Sequence, residues 1–102
     1  MAKMLITGAA SGRAHQLKSK LEGNIVLGDY AELPAVMLQS GAMISLPNPN
    51  DASYAHKMLT LSLDKGIEII YALQTAELDL LNEAALLFNE YGITIKAADE
   101  VQ

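Results

Sequence analysis

Few residues in this chain could do chemistry, and they fall in three short stretches. The first is Thr7-Gly8-Ala9-Ala10-Ser11-Gly12-Arg13-Ala14, which joins a short apolar run to a helical pattern. Gly8 lets the backbone turn sharply off a strand, Gly12 lets a helix N-terminus come close to a ligand, and the free N–H groups of such a turn suit a phosphate or carboxylate. Arg13 is the only arginine, and it falls in the first helical turn. There it opposes the helix dipole unless an anion sits nearby. Gly8, Ala9, Ala10, Ser11, Gly12 and Arg13 therefore form a candidate anion site. A plain strand-to-helix turn, with Arg13 in solvent, accounts for the same glycines.

The second stretch is Asp29-Tyr30. Dinucleotide-binding folds place the acid that holds the ribose hydroxyls at the end of the second strand, about 20 residues beyond the first glycine, and Asp29 fits that position. The third glycine of G-x-G-x-x-G is missing, however, and a strand-to-loop Asx turn explains Asp29-Tyr30 equally well. The third stretch is Gln74, Thr75 and Glu77, which follow a predicted fourth strand. They face the glycine turn across the crevice where ligands enter such sheets. Thr75 as a helix N-cap and Glu77 as a dipole partner explain the same residues without a ligand.

No catalytic constellation stands out beyond these. His15 and His56 lie on different helical segments without a second ligand at helical spacing. Tyr54 and Lys57 are three residues apart, where the dehydrogenase acid–base pair needs four. There is no nucleophile elbow, no Walker lysine and no paired-carboxylate site. The zero cysteine count removes disulfides, thiolate zinc sites and iron–sulfur clusters, and it fits a reducing cytoplasm. The cofactor stays unassigned, with NAD the alternative if Asp29 reads a ribose.

The elements that would position these residues alternate along the chain. Strand signals at Met4-Leu5-Ile6-Thr7, Ile25 to Asp29, Met43 to Leu46, Glu68 to Leu73 and Ile93 to Ile95 are separated by helical periodicity. Helices are predicted through Ala14, Leu17 and Leu21, and through Val36 to Leu38 with Pro34 in the first turn. A third runs from an Asp51 N-cap through Tyr54, Ala55, Met58, Leu59 and Ser62 to Lys65-Gly66. The last is expected to be the longest, capped by Thr75 and continuous through Leu78, Leu81, Ala85 and Phe88 to Tyr91-Gly92. Nearly continuous apolar strands imply burial on both faces. The expected fold is a three-layer α/β Rossmann-like doubly wound sheet in a single domain of 102 residues, about five parallel strands ordered 3-2-1-4-5.

Several of these residues together carry a likeness to a known family. The order Leu5-Ile6-Thr7-Gly8, Val26-Leu27-Gly28-Asp29, Leu46-Pro47-Asn48-Pro49 before Ser53-Tyr54, Gly66-Ile67 before Ile69-Ile70, Glu77-Leu78, and Phe88 to Gly92-Ile93 resembles the N-terminal pre-ATP-grasp domain of carbamoyl-phosphate-synthase-like ligases. That resemblance implies a Rossmann-like domain whose first loop, here residues 8–13, holds an acid or phosphate substrate while ATP binds on a separate module. It also implies a docking surface for a partner or a second copy, for which Val36-Met37-Leu38 is the candidate. A weaker likeness to the start of short-chain dehydrogenases rests on Thr7-Gly8-x-x-x-Gly12, without their Tyr-x-x-x-Lys pair.

Composition bounds the partners. Seven basic against twelve acidic residues give a net charge of −5, and the five aromatics are not interleaved with a basic run, so nucleic acid is not an expected partner. The apolar stretch at Leu5-Ile6 is too short for a membrane span. A small anionic ligand, and a homodimer or a separate protein partner, are the expectations that remain.

Overall fold

The computed structural model describes residues 3–8, 12–21, 23–30, 35–41 and 43–97. Strands β1 (Lys3–Ile6), β2 (Asn24–Asp29), β3 (Met43–Ser45), β4 (Ile69–Ala72) and β5 (Thr94–Ala97) form one parallel sheet ordered β3-β2-β1-β4-β5. The doubly wound topology read from the sequence is the observed one. Between the strands run α1 (Gly12–Lys20), α2 (Ala35–Ser40), α3 (Tyr54–Lys65), α4 (Thr75–Glu83) and α5 (Ala85–Glu90).

Alternation along β1 divides the core into two layers. Leu5 packs with Tyr54, Met58 and Leu59 of α3, Leu81 of α4 and Phe88 of α5. Met4 and Ile6 point the other way, into a cluster with Ala14 and Leu17 of α1, Leu27, Met43 and Tyr71. Because successive side chains leave opposite faces of a strand, one apolar run supplies both layers.

The helix ends show which local signals decide the structure. Gly66 takes the left-handed conformation, at φ 71°, and the N–H of Ile67 returns to the carbonyl of Ser62 at 2.8 Å, so α3 stops where the sequence predicts. Its start differs from expectation. The N-cap is Ser53, without a side-chain capping bond, whereas Asp51 braces the preceding turn. Oδ1 of Asp51 accepts the Ser53 N–H at 2.8 Å, and its carbonyl accepts the Tyr54 N–H at 3.0 Å. An Asx turn satisfies this carboxylate two residues before the N-cap.

The expected single long helix after β4 is two. Ala84, at φ −102° and ψ 8°, ends α4 with its N–H bonded to the carbonyl of Leu81 at 3.1 Å. The N–H of Phe88 bonds back to Ala84 at 3.0 Å and opens a new ladder. Asn82, a weak helix former, sits in the last turn before the break. α3, with 12 residues, is the longest helix described. Pro34 lies outside the described residues, and no helix among them is long and apolar enough to cross a membrane.

Candidate functional site

All the strands run the same way, so their carboxyl ends gather along one edge of the sheet. From that edge β1 leads to α1 on one face and β4 leads to α4 on the other. The chain therefore diverges between two neighbouring strands, and open α/β sheets bind their ligands in the crevice this creates.

Polar burial is concentrated there. Four polar or charged residues are buried among those described, and three of them, Thr7, Asp29 and Glu77, belong to this edge at 0%, 1% and 0% exposure. Thr7 stitches the diverging strands together. Its N–H bonds to the carbonyl of Tyr71 at 3.0 Å, and its Oγ1 accepts the N–H of Leu73 at 3.1 Å. Gly8 then turns at φ 72°, so close to β4 that a Cβ would lie 3.4 Å from that of Leu73 and 3.8 Å from Cγ of Gln74. Left-handed backbone and close approach both favour glycine at this position.

Gln74, in extended conformation and half-buried, is the N-cap of α4 and makes no side-chain capping bond. Thr75 is therefore not the cap expected from the sequence but the first helical residue, and it is exposed. Glu77 lies in the first turn, as predicted, yet it does not stand in solvent beside the helix terminus. Its side chain is turned inward, on the same stripe as Leu81 four residues later. Oε2 accepts a hydrogen bond from Oη of Tyr54, the first residue of α3, at 2.7 Å. Oε1 has no hydrogen-bond partner.

Burial raises the Glu77 carboxyl above its ordinary range, the Tyr54 hydroxyl pulls it back, and the negative charge of Asp29 pushes it up again. Tyr54 holds its own proton far more tightly than an exposed tyrosine, first because it is buried and then because Glu77 faces it. The arrangement is thus a carboxyl group biased toward its neutral form, with one oxygen fixed by Tyr54 and the other buried without a partner.

The edge brings together Gly8, Asp29, Gln74 and Glu77 of the residues singled out from sequence. Tyr30, directly after Asp29, is 41% exposed. Gly12 and Arg13 open α1, with the Arg13 side chain outside the described part, and Ala9, Ala10 and Ser11 lie outside it altogether. No protein-family model matches the chain, and a search of curated proteins gives no match.

Two features escape a sequence reading. Tyr54 shares a helical face with Met58 and reads as core, which it also is, but nothing local ties it to a glutamate 23 residues on. Asp29 and Glu77, which show no recognisable spacing, interact electrostatically at the edge, where no carboxylate pair was expected. One signal for Glu77 was available, since its i,i+4 relation to Leu81 puts it on the buried stripe of α4. Among the described residues no group of three or more histidines, cysteines and carboxylates could hold a metal ion.

Proposed function

We propose that this domain binds a small anionic ligand, a phosphate-bearing nucleotide or a small carboxylate, at the carboxyl edge of β1 and β4. The observation that carries this reading is the bare Oε1 of fully buried Glu77 at the point where the chain diverges. A buried polar atom without a partner costs about 1–3 kcal/mol, and at the crevice a ligand group would offset that cost. The Gly8 turn and the start of α1 border the same edge and offer backbone donors to an anion. The resemblance to pre-ATP-grasp domains supports the same location for the ligand and adds a partner module. Val36 and Leu38 of α2, at 68% and 40% exposure, are the apolar surface such a partner would cover.

Amide NMR and thermal unfolding with inorganic phosphate, ATP and NAD test the reading. Phosphate or ATP is expected to shift the Gly8, Gly12 and Glu77 signals and to raise Tm, because a ligand bound only by the folded state stabilises it. Arg13→Ala is expected to weaken binding by about tenfold to a hundredfold, the worth of one charge-assisted hydrogen bond. A response to NAD alone, abolished by Asp29→Ala, would replace this reading with a dinucleotide site. No response to any of the three would make the edge purely structural.

A further inference from the structure

We infer that Glu77 is the proton-carrying donor of this edge: it takes one proton from solvent as the anion binds and gives a hydrogen bond to it through Oε1. The inference rests on the anion-binding reading above and specifies how a carboxyl group serves it.

The geometry gives the two oxygens different tasks. Oε2 accepts from Tyr54 Oη at 2.7 Å, which suits the carbonyl oxygen of a neutral acid, and Oε1, unpartnered and buried, is left to carry the hydrogen. In that state Glu77 offers an anion a donor at the N-terminus of α4, a nine-residue helix whose free N–H groups favour negative charge. Ionised, the same group would set a buried negative charge at the site and repel the anion. The proton returns to solvent when the ligand leaves, so atoms and charge balance without another reactant.

Two titratable groups act directly on Glu77. α3 brings Tyr54, which keeps its proton, and β2 brings Asp29. Asp51 and Lys57 pair with each other at the protein surface. Tyr71 of β4 and Lys96 of β5 are register partners, and Tyr71 belongs to the cluster on the face opposite α4. Asp79, Glu83 and Glu90 are exposed.

Inorganic sulfate, whose charge is constant between about pH 5 and 8, is the probe. Sulfate affinity of the wild-type chain is expected to fall as pH rises, approaching about tenfold per pH unit once free Glu77 is ionised. The 13C shift of the Glu77 carboxyl should move toward the neutral acid on saturation. Glu77→Gln, which keeps a donor permanently, should bind sulfate with a flat pH profile. Affinity independent of pH, or a carboxyl shift toward the ionised form, overturns the inference and leaves anion binding standing. Binding by neither chain at any pH overturns both. The carboxyl shift is read on the wild type, so the test survives a Glu77→Gln chain that fails to fold.

Discussion

Tyr54 and Glu77 join the first turns of two helices through one buried hydrogen bond, Oη to Oε2 at 2.7 Å. The two residues follow β3 and β4, strands that are not neighbours in the sheet, so this bond spans the face on which α3 and α4 pack.

Tyr54→Phe tests its contribution. The substitution keeps the ring in the core and removes the donor, leaving both oxygens of a buried carboxyl unsatisfied. A loss of about 1–3 kcal/mol in urea unfolding is expected. Glu77→Gln retains an acceptor for Tyr54 and should cost less than Tyr54→Phe. Equal losses, or none from Tyr54→Phe, would show that the bond contributes little.

The pH dependence of stability follows from the same pair. Glu77 is raised in the folded chain, so its contribution is complete below its ordinary value of 4.5 and is lost as pH climbs through the folded value. The Tm of the wild type relative to Glu77→Gln should therefore fall on going from pH 4.5 toward neutrality. Tyr54 is raised as well, so its contribution is lost only as pH rises above 10. Asp51 has the opposite sign, because its hydrogen bond with Lys57 lowers it, and what it contributes disappears as pH falls below 3.8. A relative Tm that increases between pH 4.5 and 7 would contradict the assignment for Glu77.

How much of this was legible depends on the range of the interaction. Gly66 after Lys65 stops α3 by backbone geometry that only a residue tolerant of positive φ adopts readily, and such signals act within a few residues. The apolar runs Met4-Leu5-Ile6 and Ile69-Ile70-Tyr71 specify a sheet covered on both sides for the same local reason. Gly8, Asp29 and Glu77 were findable because topology puts strand ends at one edge. The burial of Glu77 and the raised state of its carboxyl were not, since the Tyr54 partner comes from another helix and Asp29 from a strand beyond β1. Ala84 shows the reverse limit, a helix break at the best helix-forming residue with only Asn82 nearby to suggest it.

Ser62 offers a test in the core. It is fully buried in α3, and its Oγ has no hydrogen-bond partner. Ser62→Ala removes a desolvated hydroxyl and adds helix propensity, so stability should hold or rise by up to about 1 kcal/mol. A clear loss in urea unfolding would show that the hydroxyl is satisfied in solution.

Gly28 in β2 is fixed by what packs over it. A Cβ there would meet Cγ of Leu46 at 2.9 Å and its methyl carbons at 3.0 Å, inside any normal contact. Leu46 has little room to retreat. It is buried at 6% exposure in the cluster with Leu5 and Tyr54, and its N–H is held by the carbonyl of Asp29 at 2.9 Å. Gly28→Ala should therefore destabilise by about 1–3 kcal/mol through overpacking, against the small gain that alanine brings to an unstrained strand. Leu46→Ala alone should cost about 2–5 kcal/mol as a cavity. In the double variant the new methyl enters space the leucine has vacated, so the combined loss should be smaller than the sum of the single losses. Additive losses would mean that the β2 backbone, rather than Leu46, absorbs the added carbon.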